Sequence, residues 1–211
     1  MSQLDLFGNR ISVPPPANLI KQTTQINQGS FQYYCTFFSR SESDEFFSRL
    51  LEDIEWKQES MRIYGKLVSF PRLTAWYGDN DKPYSFSGIT LKPHPWSKDL
   101  LKIKSAIEEY STVVFNSVLL NLYRSGNDSI SWHTDAEPEL GRNPVIASVN
   151  FGETRKFQLR HIKTREVIDI QLEHGSVLIM EGELQHYWQH QVPKTKAAKK
   201  ERINLTFRVI K

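Results

Sequence analysis

The second half of the chain, from Thr112 onward, is a series of short segments rich in β-branched residues, separated by polar or glycine-containing turns. Such segments predict β-strands. We expect strands at residues 115–123, 145–151, 156–160, 167–172, 176–180 and 203–209. Because no helical pattern intervenes, the fold class is mainly β, and a sandwich or double-stranded barrel is favoured over a parallel α/β sheet.

Two amphipathic helices are predicted before this region. The first has apolar residues at helical spacing from Phe46 onward, with Ser41 or Ser43 available as its N-cap, and the second begins with a cap at Ser97. We expect both to cover one face of a sheet. The aromatic-rich stretch between them predicts a hairpin with Gly65 near its turn and a strand at residues 71–78.

The bulk properties indicate one ordinary globular domain. At 211 residues the chain can bury a proper core, and its net charge of +3 is compatible with a nucleic-acid partner without requiring one. A single cysteine, Cys35, allows no intramolecular disulfide. No apolar run of about 18 residues and no signal-peptide pattern occurs. These features predict a soluble intracellular protein with no membrane partner, and we expect a cytoplasmic monomer.

The segment from Asn121 to Asp135 predicts a metal site. It begins as a strand, breaks at a turn of residues 125–128, and ends in His133-Thr134-Asp135. On an extended backbone residues i and i+2 point to the same face, so His133 and Asp135 can bind one ion. A third ligand must come from a distant strand, and His186 and His190 are both candidates. Two imidazoles with one carboxylate are typical of Fe(II) oxygen chemistry, whereas zinc more often takes three histidines or thiolates.

The last predicted strand has one polar and one apolar face. Alternation places Ile203, Leu205 and Phe207 on one side. The other side carries Arg202, Asn204, Thr206 and Arg208. Such a row can be buried only if an anion neutralises the guanidinium groups, and a dicarboxylate would match both. The alternative is a strand face exposed to solvent.

Seven stretches of the chain carry a resemblance to a known family. They are PRLTAWYG at 71–78, YSFSGITLKPHPW at 84–96, FNSVLLNLYRSGNDSISWHTDAEPELG at 115–141, PVIASVNFGETRKFQLR at 144–160, HGSVLIMEG at 174–182, WQHQVPK at 188–194 and RINLTFR at 202–208. In this order the sequence resembles the AlkB-type Fe(II)/2-oxoglutarate dioxygenases that repair alkylated nucleobases. The resemblance is greatest to the eukaryotic-style members that act on 1-methyladenine and 3-methylcytosine.

The resemblance implies a fold and an activity. The fold is a double-stranded β-helix (jelly-roll) core with two supporting helices, in a domain at residues 30–211 that includes a nucleotide-recognition lid at about 61–95. The activity is oxidative demethylation of N-alkylated bases in DNA, or alternatively RNA. The N-methyl group is hydroxylated and leaves as formaldehyde, while 2-oxoglutarate and O2 give succinate and CO2.

Residue roles follow from the matched motifs. Iron would be bound by His133, Asp135 and His190, with His190 preferred over His186 because the WQH-x-VP setting matches. 2-Oxoglutarate would be held by Asn121, Tyr123, Arg202, Asn204, Thr206 and Arg208, with Arg202 on its distal carboxylate and Arg208 on the carboxylate nearer the iron. Substrate contacts would come from Tyr64, Arg72, Tyr84, Phe86 and Glu137.

One departure and two alternatives remain at this level. Many relatives carry an aspartate immediately after the metal-binding one, whereas this chain has Ala136. A hydroxylase of the same chemistry could act on a protein or lipid instead, and a non-catalytic nucleic-acid binder could share the fold. The surface expected around Tyr64, Arg72, Tyr84 and Phe86 favours a nucleic acid.

The first 29 residues are polar and proline-containing and predict a flexible tail. One apolar motif lies within it, formed by Gln3, Leu4, Asp5, Leu6 and Phe7. The motif resembles the peptide by which bacterial repair and replication proteins bind the sliding clamp. The alternative is that its apolar residues pack on their own domain.

Overall fold

The computed structural model describes residues 21–63, 65–79, 84–86, 89–91 and 93–211. Within these ranges no helix combines the length and the apolarity needed to cross a membrane. Residues 3–7 and Tyr64, for which the sequence predicts functional roles, lie outside the described residues.

The described residues form three α-helices and fifteen β-strands. The helices are α1 (Arg40–Asp53), α2 (Lys98–Glu108) and the short α3 (Leu184–Tyr187). The strands are β1 (Lys21–Ile26), β2 (Gly29–Tyr34), β3 (Ser60–Ile63), β4 (Lys66–Ser69), β5 (Leu73–Gly78), β6 (Tyr84–Phe86), β7 (Ile89–Leu91), β8 (Ser117–Tyr123), β9 (Ile130–His133), β10 (Ile146–Gly152), β11 (Arg155–His161), β12 (Val167–Leu172), β13 (Ser176–Glu181), β14 (Trp188–Val192) and β15 (Arg202–Arg208).

Two antiparallel sheets make up the body of the molecule. The larger has seven strands in the order β1-β2-β13-β10-β15-β8-β5, and the smaller has four in the order β12-β11-β14-β9. An apolar cluster that includes Phe31, Leu178, Leu159 and Trp188 fills the space between them. This is the double-stranded β-helix with few helices that the resemblance implied, and the expected fold class is confirmed.

Helices α1 and α2 cover the outer face of the larger sheet. Leu50 of α1 and Ile103 of α2 belong to one buried cluster with Leu120, Val149 and Leu205 of the sheet. The expectation that both helices cover one face of a sheet is therefore confirmed.

The cap of α1 differs from the expectation. Ser39, rather than Ser41 or Ser43, is the N-cap; its hydroxyl accepts from the backbone N–H of Glu42, whose carboxylate accepts from the backbone N–H of Ser39. This reciprocal capping box needs a glutamate three residues after the serine, and only Ser39 has one at that position. Ser97 caps α2 as expected.

The expected tail is also shorter than predicted. Residues 21–26 form β1, which pairs along its whole length with β2, and β2 in turn pairs with β13. An outermost strand needs few apolar residues, and the residues of β1 are mostly polar. Composition alone therefore does not predict a strand here. Residues 21–29 are thus part of the larger sheet.

At its other end the larger sheet finishes with β5. Residues that do not belong to the sheet form backbone hydrogen bonds with the outer edge of this strand. Lys57 exchanges backbone hydrogen bonds with Thr74, and His94 does so with Trp76 and Gly78. Before β5, strands β3 and β4 form the expected hairpin, in which Gly65 has a φ of 78° at the turn.

Candidate active site

The register of two neighbouring strands, β8 and β15, brings the expected cosubstrate residues together. In the pairing of β8 with β15, Asn121 lies opposite Asn204 and Tyr123 lies opposite Arg202. Residues directly opposite each other point to the same face of a sheet. The polar face of β15 is therefore turned inward, toward the smaller sheet, and its four polar residues are each at most 9% exposed.

His133, Asp135 and His190 meet at one end of this face. The Nε2 atoms of His133 and His190 lie 3.6 and 3.9 Å from Oδ1 of Asp135. The pairing of β9 with β14 sets His133 directly opposite His190, and their ring centroids are 4.2 Å apart. Their ligand atoms lie within 4.8 Å of one another, close enough to bind one metal ion.

The orientation of the His133 ring follows from its other nitrogen. Nδ1 lies 2.8 Å from the backbone carbonyl oxygen of Ser131, which can only accept a hydrogen bond. Nδ1 therefore carries a proton, and Nε2 points toward Asp135. Metal-binding histidines are commonly oriented in this way by a carbonyl on the second nitrogen.

Asp135 is held as a carboxylate. Burial alone would raise the pKa of its side chain, but the positive charge of Arg208 outweighs burial and holds this pKa well below its usual range. Arg208 Nη2 donates to Oδ2 at 2.6 Å. Oδ1 is thereby the oxygen left facing both imidazoles.

His190 is neutral at physiological pH. Burial, and then the neighbouring His133, lower the pKa of its ring to about 3 despite the opposing charge of Asp135. His186, the other candidate, is exposed and instead accepts from the backbone N–H of Asn143 at 3.4 Å. The structure thus brings His190, and not His186, to His133 and Asp135.

These three residues fit a divalent iron ion. Ligands must be deprotonated to bind a metal, and here His190 offers a neutral ring nitrogen and Asp135 an anionic oxygen, while His133 directs its Nε2 toward the same oxygen. The set of two nitrogens and one oxygen matches the facial arrangement that non-haem Fe(II) prefers.

Arg202, at the other end of the polar face, is a buried cation with incomplete hydrogen bonding. Its Nη2 donates to Asn150 Oδ1 at 2.6 Å, while Nε and Nη1 have no hydrogen-bond partner among the described residues. Burial lowers the pKa of Arg202 to about 10, with Tyr123 opposing, so it stays charged near neutral pH. Its guanidinium carbon lies 4.9 Å from the centre of the Tyr123 ring. A buried guanidinium of this kind is fully hydrogen-bonded and neutralised only when an anion binds to it.

Hydrogen bonds link the polar residues between the two ends. Asn204 Nδ2 donates to Ser148 Oγ at 2.8 Å and to Asn150 Oδ1 at 3.1 Å, and Thr206 Oγ1 donates to Asn204 Oδ1 at 3.1 Å. Arg72 Nε donates to Asn121 Oδ1 at 2.8 Å. The amides and hydroxyl of this face are therefore fixed before any ligand arrives.

The expected substrate residues are described only in part. Arg72 is buried on the Asn121 side of the site, and its Nη1 also donates to the backbone carbonyl of Ser129 at 3.3 Å. Glu137 has a buried Oε2 with no hydrogen-bond partner among the described residues. Tyr84 and Phe86 lie on β6, but their side chains are outside the described part of the chain, as is Tyr64.

Three residues of this region were not anticipated. Asn150 accepts from Arg202, Gln185 accepts from the backbone N–H of Asp135, and Arg155 is a buried cation 5.6 Å from the Tyr123 ring. Asn150 could have been found, because it alternates with Val149 and Phe151 and must share the inward face. No local pattern marks Gln185.

Comparison with known proteins identifies the family. The 2OG-Fe(II) oxygenase superfamily matches residues 30–208, which is most of the chain. This protein belongs to that superfamily. Its relatives include the bovine alpha-ketoglutarate-dependent dioxygenase alkB homolog 3, 45% identical over 82% of this chain and 64% of the relative. They also include the mouse DNA oxidative demethylase ALKBH2, 38% identical over 84% of this chain and 79% of the relative.

These similarities confirm the expected AlkB-type membership. The chain spans slightly less than two thirds of the length of its alkB homolog 3 relatives. Among solved structures, OsALKBH1 superimposes with a TM-score of 0.61 at 19% identity, covering 89% of this chain and all of that one, which supports the fold. The expected cofactors, Fe(II) with 2-oxoglutarate and O2, are those of the family and are confirmed.

Proposed function

We propose that this protein oxidatively demethylates N-alkylated bases, with 1-methyladenine and 3-methylcytosine in DNA as the first substrates to test and RNA as a further one. The observation that carries the proposal is a cluster of two histidines and one aspartate at one end of a buried polar face that has a charged, incompletely bonded arginine at the other. Relatives named DNA oxidative demethylase support the choice of substrate.

In this proposal His133, Asp135 and His190 hold the iron. When bound, Fe(II) with 2-oxoglutarate and O2 supplies the oxidising power that hydroxylates the N-methyl group, after which formaldehyde leaves and succinate and CO2 remain. The protein supplies orientation: Ser131 fixes the His133 ring, and Arg208 holds one oxygen of Asp135 so that the other faces both imidazoles.

The cosubstrate would lie along the polar face of β15. Arg202 is the proposed partner of its distal carboxylate, because this buried guanidinium has two nitrogens without partners. Arg208 is the proposed partner of the carboxylate nearer the iron, which is supported by its contact with Asp135. Asn121, Tyr123, Asn204 and Thr206 would line the path between them.

The proposed base pocket comprises Tyr64, Arg72, Tyr84, Phe86 and Glu137. The unpartnered, buried Oε2 of Glu137 supports it, because a methylated base presents an exocyclic N–H from which this oxygen can accept a hydrogen bond. We further propose that residues 61–95 act as a nucleotide-recognition lid within a catalytic domain that extends to residue 211.

Outside the pocket, Trp132 and Arg160 support a nucleic-acid partner. Trp132 precedes the ligand His133, and the Arg160 guanidinium carbon lies 4.0 Å from the centre of its ring. Both side chains are partly exposed on the outer side of the smaller sheet, and no carboxylate of the described residues lies within ion-pair distance of Arg160. Arg160 Nη2 donates to Gln189 Oε1 at 2.8 Å, which leaves its charge unneutralised, and a ring against such a cation suits a base and its phosphate.

The deciding experiment supplies a 1-methyladenine oligonucleotide, Fe(II), ascorbate and 2-oxoglutarate to the purified full chain and measures formaldehyde. Wild type should release formaldehyde, His133→Ala should release none, and His186→Ala should behave like wild type. Iron binding without formaldehyde release from any methylated DNA or RNA would contradict the proposal.

A binding measurement separates a nucleic-acid substrate from a protein or lipid one. Fluorescence anisotropy with an alkylated oligonucleotide should show affinity that falls with salt, because bound cations displace counterions from phosphates. Arg160→Gln should weaken binding and lower the salt slope by about 1. Binding that ignores salt would contradict phosphate contacts.

We also propose that residues 3–7 dock on a bacterial sliding clamp. In this proposal the enzyme is a monomer in the cytoplasm, and docking would bring it near the nucleoid. Only the sequence motif supports this. Surface plasmon resonance with immobilised clamp should detect the full chain but not a variant with Leu6 and Phe7 both changed to alanine. Equal signals from both proteins would contradict the docking, and demethylation of short oligonucleotides should be the same for both.

A further inference from the structure

Gln185 is a buried amide beside the metal cluster that the family resemblance did not mark. It is 1% exposed and lies on α3, between β13 and β14. Its Oε1 accepts from the backbone N–H of Asp135 at 2.9 Å, and its Nε2 lies 3.7 Å from Met180 Sδ. Because sulfur is a weak acceptor, the bond to Asp135 is the strong hydrogen bond that this side chain makes.

The direction of that bond is fixed by chemistry. A backbone N–H can only donate, so the carbonyl oxygen of the amide, and not its nitrogen, must face Asp135. Burying an amide is unfavourable unless it is hydrogen-bonded, and neighbouring Leu184 and Met180 belong to an apolar cluster. The bond to Asp135 is what offsets the cost of an amide here.

The bond connects the two segments that carry the buried ligands. Asp135 follows β9, while Gln185 lies on the short helix that leads into β14, five residues before His190. Arg208 holds the Asp135 carboxylate through Oδ2, and Gln185 holds the backbone of the same residue. Asp135 is thus fixed at both ends, with Oδ1 directed at the imidazoles.

We propose that Gln185 is a positioning residue of the metal centre: by accepting from the Asp135 N–H it sets where this carboxylate stands relative to His190, and thereby the affinity for the metal. This inference rests on the proposed roles of Asp135 and His190 as iron ligands. Groups that orient metal ligands from outside commonly change metal affinity by about 10–100-fold when removed.

Two substitutions isolate the hydrogen bond. Gln185→Met keeps the length of the side chain but has no oxygen to accept from the N–H, whereas Gln185→Glu keeps an accepting oxygen whether or not it is protonated. Gln191→Met is the matched control, because Gln191 lies on the same strand as His190 but on its outer side, where it donates to Gln158 at 2.7 Å.

The experiment titrates Mn(II) alone into each full-length protein by calorimetry, at a temperature where denaturant curves show every variant folded. Gln185→Met should bind Mn(II) about 10–100-fold more weakly, and its Co(II) complex should have an altered visible absorption spectrum, since the ligand geometry changes. Gln185→Glu should recover most of the affinity, and Gln191→Met should match wild type in both measurements.

Two results would overturn the inference. One is Gln185→Met with the Mn(II) affinity and Co(II) spectrum of wild type, and the other is an equal loss in Gln191→Met. Failure of the underlying metal site is a separate result: wild type would then bind no Mn(II), or Asp135→Ala would bind it as wild type does.

Discussion

The two faces of β15 are equally buried but chemically opposite. Ile203, Leu205 and Phe207 on one face are fully buried, and Arg202 and Arg208 on the other are 1% and 8% exposed. The difference between the faces therefore lies in what each side chain finds as its neighbour, and not in access to water.

The apolar face finds all its partners within the protein. Phe207 stacks on Trp96 at 6.3 Å and contacts Phe115 at 5.9 Å between ring centroids, in the cluster that α1 and α2 cover. The polar face is fixed by hydrogen bonds but keeps a cation, Arg202, with two nitrogens unpartnered among the described residues. One face supplies folding energy, and the other is held ready for a ligand at some cost to folding.

The largest expected effect on stability comes from the apolar face. Phe207→Ala should lower the free energy of unfolding by about 3–5 kcal/mol, because a large ring is removed from a closed core. Urea denaturation measures this loss. Affinity for Mn(II) and 2-oxoglutarate should persist in the folded fraction, and stability equal to wild type would contradict the contrast between the faces.

Arg202→Met should have the opposite pattern. The free energy of 2-oxoglutarate binding to the Mn(II)-loaded protein should become less favourable by about 2–5 kcal/mol, since one partner of a buried charge pair is lost. The ligand-free protein should unfold with unchanged or higher free energy, because a buried unneutralised cation is gone. Calorimetry and urea denaturation give the two values, and a loss of stability like that of Phe207→Ala would show that both faces serve the fold.

The cosubstrate itself should stabilise the protein. With Mn(II) bound, 2-oxoglutarate at 100 times its dissociation constant should raise the free energy of unfolding by about 2.7 kcal/mol. The same increment is expected in Phe207→Ala. At that same cosubstrate concentration it should fall below about 1 kcal/mol in Arg202→Met, and a full increment there would mean that the anion binds elsewhere.

The smallest effect concerns pH on the side that α1 covers. His174 Nδ1 accepts from the backbone N–H of Gly152 at 2.7 Å, and burial, followed by Arg40, lowers its pKa against the opposing charge of Asp44. A group with a lowered pKa in the fold contributes stability that is full above its unfolded pKa of about 6.5 and is lost as pH falls through the folded value.

His174→Asn tests this dependence, because its amide oxygen can accept from Gly152 without titrating. Unfolding free energies measured from about pH 8 to about pH 5 should fall less in the variant than in wild type. Parallel curves would remove His174 as the cause. The metal site lies on the other side of the larger sheet. Mn(II) affinity should therefore be equal in both proteins at about pH 8, where His174 is neutral.

The sequence predicts the parts of this molecule that depend on local periodicity. Alternation along residues 202–208 separated the two faces, and the spacing of His133 and Asp135 placed both on one side of a strand. What it could not predict depends on partners far apart in the chain. The residues alone left His186 and His190 as equal candidates, and the pairing of β9 with β14 distinguishes them.

The same limit explains the positions that were missed. Gln185 meets Asp135 across 50 residues, so no local pattern announces it. Strand β1 is polar because it lies at the outer end of its sheet, and composition alone therefore assigned it to a tail. Only the folded structure reveals such roles.

The bridges on the outer side of β5 bear on how this protein behaves at high concentration. A bare edge strand offers a row of N–H and C=O groups on which another chain can continue the sheet. Lys57 and His94 already bond to the backbone of Thr74, Trp76 and Gly78. Strand-to-strand aggregation therefore has no template at this end of the folded protein.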